Sequence, residues 1–265
     1  MREPVGGGSQ VKGTQTIYGL HAVRVMLERH PERVHGVRIA EARDDPRVRA
    51  IEELARRHQR PVERLDAHSL RQLLGEVTHQ GVAADITTLP PWTEDELLGA
   101  LQQARAPLLL ALDGVQDPHN LGACLRSADA CGALAVIVPR DRAVQLTPAA
   151  RKVAVGAAET TPVVSVTNLV RILRLLKEAG LWVVGADAAA EKRAHEADLT
   201  GGVVLVLGAE GTGLRRLTRE HCDLMVRLPQ LGVVESLNVA VAAGMLLYEA
   251  VRQRETRSIS SSAPG

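Results

Sequence analysis

Three short stretches of the chain hold the side chains best suited to chemistry. The first, 113–126 (DGVQDPHNLGACLR), carries an amide, Asn120, and a guanidinium, Arg126, in the helical pattern that follows. The second, 207–214 (LGAEGTGL), places one carboxylate, Glu210, among the glycines Gly208, Gly211 and Gly213. The third, 229–240 (PQLGVVESLNVA), runs through Gly232 into Ser236, Leu237 and Asn238. A carboxylate among glycines can accept hydrogen bonds from a substrate or from a neighbouring Asn or Arg, and glycine lets backbone approach a ligand closely. Each stretch also has a plainer reading. Asn120 suits a helix N-cap, with Arg126 on the surface of the second turn. Glu210 suits a tight turn that caps a helix. Ser236 suits the N-cap of the last helix, which leaves Asn238 in the first turn, where an amide is a mediocre choice. The glycine spacing matches neither the Gly-x-Gly-x-x-Gly fingerprint of dinucleotide sites nor a triphosphate loop.

The elements around these stretches follow from apolar periodicity. Uniformly apolar runs at 108–115, 133–139, 162–166, 181–186, 203–208 and 224–228 alternate with helical patterns at 121–130, 148–158, 169–179 and 214–222, and a last helix is predicted from 237 to about 254. Strands apolar throughout are buried on both faces, which implies a parallel sheet covered by helices. Ligands of such sheets collect beyond the carboxyl ends of strands, where all three stretches begin. Ahead of this region, residues 16–88 read as a small α/β domain, with helices at 20–28, 46–60 and 67–74 and extended runs at 34–40, 61–65 and 81–86. Residues 89–107, with Pro90-Pro91 and a short acidic helical segment, read as a linker with little core. Residues 1–15 and 257–265 read as flexible tails, and 108–256 as the second domain.

Composition bounds the function. The 265 residues are 45% apolar and 24% charged, enough to bury a real core, and no run reaches a membrane span of about 18 apolar residues. The start has no apolar signal-peptide core, so the cytoplasm is the expected location. The net charge of +1 supplies no global basic field, so any nucleic-acid contact is local; the basic side chains are overwhelmingly arginine, which suits phosphate recognition and which biased codon composition explains equally well. Three unpaired cysteines, Cys124, Cys131 and Cys222, argue for buried thiols against a disulfide framework or a zinc site.

The three stretches in this order resemble the motifs of the SpoU class of the SPOUT superfamily of RNA 2′-O-methyltransferases. The match rests on Asn120-Leu121-Gly122 with Arg126, on Leu207 to Gly211, and on Leu228-Pro229 to Gly232 with Ser236-Leu237-Asn238-Val239. The segments Ile17 to Val23 and His79 to Val82 are similar to the start and end of the L30e-like substrate-binding domain of some members. Together with Asp117 to Asp129 they resemble the members that modify a guanosine ribose of 23S rRNA.

The resemblance implies an α/β chain: a C-terminal parallel-sheet SPOUT domain with a trefoil knot and a small N-terminal L30e-like domain. Periodicity alone argues against a threaded chain. It further implies S-adenosyl-L-methionine as cofactor, held around Gly208, Ala209, Gly211, Leu228, Gly232 and Leu237, and Asn120, Arg126, Glu210, Ser236 and Asn238 as catalytic positions. RNA contacts are expected from His79, Gln80 and Arg126, the substrate as 23S rRNA or the assembling large ribosomal subunit, and the assembly as a homodimer whose sites borrow residues across the interface. A guanidinium holds its proton too tightly to be an easy base. Arg126 is therefore expected to bind RNA phosphate and the nucleophilic oxygen while Glu210 and Asn120 orient it. Glu235 and Ala240 depart from residues common in such sequences. Competing readings are a related resistance enzyme acting on an rRNA adenosine, a non-catalytic ribosome-assembly factor, and a nicotinamide-dependent oxidoreductase.

Overall fold

A computed structural model describes residues 14–75, 79–87, 90–233 and 236–261. Most of the two expected tails, and Glu235, lie outside them. The chain divides into two compact units, residues 1–90 and 91–265.

In the first unit the order is β1 (Thr14–Tyr18), α1 (Leu20–Arg29), β2 (Val34–Ala40), α2 (Pro46–Arg57), β3 (Val62–Leu65), α3 (Ala67–Leu74) and β4 (Val82–Thr87). The sheet runs β1-β4-β2-β3, with β4 antiparallel to both neighbours and β2 parallel to β3. Asp45 and Asp66 cap α2 and α3 through their carboxylates. Val23, Met26 and Leu27 of α1 and Val48, Ile51 and Ala55 of α2 recur at helical spacing and bury against Val37, Ile39, Val82, Ala84 and Ile86 of the strands.

The second unit continues with α4 (Glu94–Gln103), β5 (Leu108–Asp113), α5 (Pro118–Ala130), β6 (Ala135–Pro139), α6 (Pro148–Ala154), β7 (Val163–Val166) and α7 (Leu169–Glu178). It ends with β8 (Trp182–Ala186), β9 (Lys192–Arg193), β10 (Val203–Gly208), α8 (Arg216–Glu220), β11 (Leu224–Arg227) and α9 (Val239–Ser261). The seven strands lie in the order β7-β6-β5-β10-β8-β11-β9, and every pair is parallel. Residues of β5 alternate between two cores. Leu108, Leu110 and Leu112 pack in one with Leu121, Leu125 and Leu246 of α5 and α9, while Leu109 and Ala111 pack in the other with Leu97 of α4 and Ile172, Leu173 and Leu176 of α7. Both faces are thus covered, which is why the strands read as unbroken apolar runs.

Three expectations change. The segment 89–107, read as a linker with little core, contributes α4, started by a Thr93–Glu96 capping box and burying Leu97 and Leu101 in the second unit. Its acidic first turn hid the two leucines. The last helix runs on to Ser261, so 257–261 is helical rather than tail, and β1 begins at Thr14, inside the expected N-terminal tail.

Candidate active site

At the carboxyl ends of the central strands, Asp113 of β5 stands opposite Gly208 of β10. The chain leaves β5 for β6 on one side and leaves β10 for β11, beyond β8, on the other. The two following loops part there and open the crevice in which sheets of this kind take ligands.

Three of the expected residues meet across it. Asn120 Nδ2 donates to Glu210 Oε1 at 3.2 Å. Asn238 Nδ2 donates to the same oxygen at 2.5 Å and to Asn120 Oδ1 at 2.9 Å. Val239 N donates to Glu210 Oε1 as well, at 3.3 Å. One carboxylate oxygen is thereby saturated, and Glu210 Oε2 makes no hydrogen bond among the described residues.

The local structure differs from expectation at both amides, for a common reason. The cap of α9 is Asn238, whose Oδ1 accepts from Ala240 N at 2.9 Å and Val241 N at 3.3 Å, and Ser236 lies before it. The residue that looked misplaced inside a first turn caps the helix with its oxygen and holds the carboxylate with its nitrogen. The cap of α5 is Asp117, with Pro118 at the first helical position, so Asn120 lies within the first turn and its side chain is free to reach Glu210. Hydrogen bonds from His119, chiefly its backbone N–H, hold the Asp117 carboxyl below the usual carboxylate value.

The glycines of the second stretch shape the loop itself. A Cβ on Gly208 would lie 2.0 Å from the Gly213 carbonyl carbon. The loop turns back on itself through Gly211 and Gly213, at φ of 77° and 65°, and closes with Gly213 N donating to Ala209 O at 2.9 Å. That turn presents Glu210 to the two amides.

Glu210 also forms a wall shared by two clefts. One, of about 340 Å³, is bounded by the ends of β8, β10 and β11 and the head of α9. Leu207, Leu228, Leu237 and Val239 make it apolar, and Asp187 adds a second carboxylate. The expected Gly208, Ala209, Gly211, Leu228, Ser236 and Leu237 all line it, whereas Gly232 does not. The other cleft, of about 410 Å³, lies between the β5–α5 loop, Asn120, Arg142 and Arg215.

Arg126 stands apart. It falls in the third turn of α5, one turn later than expected because the helix begins at Pro118; it is exposed, lines neither cleft, and has no partner among the described residues. In the first unit, His79 Nδ1 accepts from Gly81 N at 3.0 Å, and Gln80 Oε1 accepts from Leu20 N at 3.2 Å, so both order the turn that leads into β4 and the head of α1. Asp187 was missed from the sequence. It follows β8, and the strand-end rule applied to that loop would have found it; its carboxylate pairs with Arg219 and accepts from Ala189 N at 2.8 Å.

Residues 107–248 match the model of the SpoU rRNA Methylase family, and residues 16–92 match that of the RNA 2′-O ribose methyltransferase substrate-binding domain. The chain belongs to the SpoU rRNA methylase family. Among its SpoU relatives, the 23S rRNA (guanosine-2′-O-)-methyltransferase RlmB of Pseudomonas syringae pathovar tomato is 52% identical over 92% of this chain and 97% of that protein. RlmB of Coxiella burnetii is 50% identical over 91% and 96%. The crystal structure of the SpoU methyltransferase AviRb from Streptomyces viridochromogenes, in complex with AdoMet, aligns with a TM-score of 0.72 at 26% identity, covering 92% of each chain. The SpoU match spans all three motifs and both clefts. No helix of the described residues is long and apolar enough to cross a membrane.

Proposed function

We propose that the protein transfers the methyl group of S-adenosylmethionine to the ribose 2′-oxygen of a guanosine in 23S rRNA. The observation that carries this reading is the Asn120–Glu210–Asn238 network at the wall of the apolar cleft, in a chain half identical along nearly its whole length to RlmB proteins.

The cleft suits the donor. Leucine side chains offer an apolar face to an adenine ring, and the Gly208–Gly211 backbone offers hydrogen-bonding edges. When bound, S-adenosylmethionine supplies a methyl that is already electrophilic. The protein must therefore align a weakly nucleophilic hydroxyl and assist the loss of its proton. Glu210 is built for the second task. Its Oε1 is held by three N–H groups, which fixes the carboxylate and leaves Oε2 to accept the 2′-hydroxyl proton. Asn120 and Asn238 lock one another and so set the angle of that oxygen, and Ser236 lines the donor side of the same wall.

Arg126, exposed and without a partner among the described residues, fits a role in a neighbouring protomer's site, where it would bind RNA phosphate and the nucleophilic oxygen. A homodimer also accounts for the exposed apolar stripe Val241, Met245 and Tyr248 on α9, at 51%, 45% and 63% exposure. Residues 16–88 act in this reading as the L30e-like RNA-binding domain, with His79 and Gln80 at a candidate contact turn, and 108–256 as the methyltransferase domain with the knotted path of its family. The location follows the rRNA substrate, in the cytoplasm.

Mass mapping of 23S rRNA from cells lacking the gene tests the function. One 2′-O-methylguanosine is expected to disappear; loss of a 2′-O-methyladenosine instead would assign the resistance-type activity, and an unchanged map would favour the assembly factor.

A further inference from the structure

The second cleft has a feature that methyl-donor binding leaves unexplained: a buried carboxylate that organises an arginine. Asp113, at the end of β5, has a side chain with no exposed surface. Its Oδ2 accepts from the backbone N of Arg215 at 2.9 Å. Among the described residues its Oδ1, fully buried, makes no hydrogen bond, and Arg215 Nη1 pairs with it at 3.5 Å. The other end of the same guanidinium, Nη2, lies 3.5 Å from Arg142 O. Gly114 stands beside it at φ 85°, and a Cβ there would come within 3.1 Å of Nη2. The guanidinium, 44% exposed, is therefore lodged at the cleft wall with room kept for it, and its attachments are long enough to leave N–H groups for a ligand.

Arg142 adds a second cation. Its side chain is exposed and without a partner among the described residues, and its backbone has φ 55°, a conformation costly for a residue with a Cβ. Such strain collects where a side chain must be aimed at a ligand. Each carboxylate of the cleft already has protein partners: Asp113 is buried against Arg215, Asp117 Oδ1 caps α5, and Glu210 Oε1 accepts three N–H groups.

We infer that Arg215 and Arg142 hold a phosphodiester of the substrate RNA beside the reacting ribose, with Asp113 as the positioning residue that aims Arg215. The inference rests on the rRNA methyltransferase reading, and places the RNA strand and the methyl donor on opposite sides of Glu210. Guanidinium forks suit phosphate, and one charge-assisted contact is worth about tenfold to a hundredfold in binding.

The test compares Arg215→Ala, Arg215→Lys and Arg142→Gly with wild type in steady-state methylation of 23S rRNA at several salt concentrations, with S-adenosylmethionine affinity measured by calorimetry. The expected result is a KM for RNA raised about tenfold or more by Arg215→Ala and partly restored in Arg215→Lys, with donor affinity unchanged. The slope of log affinity against log salt should fall by roughly 0.7 per lost contact. Arg142→Gly removes a cation while relieving the backbone, so it should weaken RNA binding without lowering the melting temperature. Wild-type RNA affinity and salt slope in Arg142→Gly, or weakened donor binding in Arg215→Ala, would overturn the phosphate assignment, the latter placing the donor's carboxylate there instead. Absence of methyl transfer by the wild-type protein would defeat the underlying function and not this assignment alone.

Discussion

Asn238 joins a helix cap to the candidate active site, and the two roles can be separated by substitution. Its Oδ1 caps α9 and its Nδ2 ties Glu210 to Asn120. Asn238→Ala removes both. The lost cap costs about 1 kcal/mol, and the two amide hydrogen bonds about 1 kcal/mol each at this exposed position, where water replaces them in part. Asn238→Ser keeps a capping oxygen and loses only the amide contacts, so it should be more stable than the alanine variant by about 1 kcal/mol. For a unit of this size that difference is roughly 2–4 °C in melting temperature. Catalysis should respond to the other role. Either variant removes one of the three N–H groups on Glu210 Oε1 and the amide that locks Asn120, which loosens the carboxylate, and a misplacement of about 1 Å costs on the order of a hundredfold in rate. Circular-dichroism melts and tritium transfer from labelled S-adenosylmethionine to 23S rRNA read the two effects independently. Asn238→Ser with a wild-type rate would refute the role of the network, and identical melting of the alanine and serine variants would refute the cap.

Three further outcomes follow from the packing and the charges. Gly208→Ala should lose at least ~3 kcal/mol in denaturant unfolding, because its Cβ would overlap the Gly213 backbone at 2.0 Å; wild-type stability would mean that the 209–213 turn is not closed as described. Met245→Glu, on the exposed stripe of α9, should shift the proposed dimer to monomer in sedimentation and reduce methyl transfer, whereas an unchanged sedimentation coefficient would count against the stripe as a dimer interface. In the first unit, burial by itself raises the Asp85 carboxyl, but hydrogen bonds from Arg38, at 2.6 Å, and Thr16, at 2.7 Å, outweigh it and hold the group below its ordinary value. Its contribution to stability is present above the unfolded pKa of about 3.9 and is lost as pH falls through the lower folded value. Urea midpoints at pH 3 and pH 6 should differ less in Asp85→Asn than in wild type, and an equal difference would count against the pairing.

The sheet was legible because a strand buried on both faces leaves an unbroken apolar run, as Leu108 to Leu112 and Val203 to Leu207 do. The three loops were legible because polar residues and glycines interrupt those runs at strand ends. Cap assignment failed where two capping residues stood close together. Asp117 and Asn120, and likewise Ser236 and Asn238, are all acceptable caps on propensity, and the choice is made by Glu210, which lies 90 residues from Asn120 and 28 from Asn238. No local pattern records that contact. Asp187 and the Asp113–Arg215 pair were hidden for the same reason: an aspartate after a strand resembles an ordinary turn residue until the arginine that meets it, 102 residues later for Asp113, is in place. Arg126 illustrates the reverse case, since its residue type and spacing match the family motif while its side chain lies outside both clefts of its own chain.

Methylation of a guanosine ribose of 23S rRNA through a carboxylate held by two asparagines can be measured with purified protein, methyl-tritiated S-adenosylmethionine and 23S rRNA, followed by nucleoside analysis, in parallel with Glu210→Gln. The expected result is label confined to 2′-O-methylguanosine with wild type and loss of transfer on the order of a hundredfold or more with the variant. Label in adenosine or on a base, or full transfer by Glu210→Gln, would contradict it.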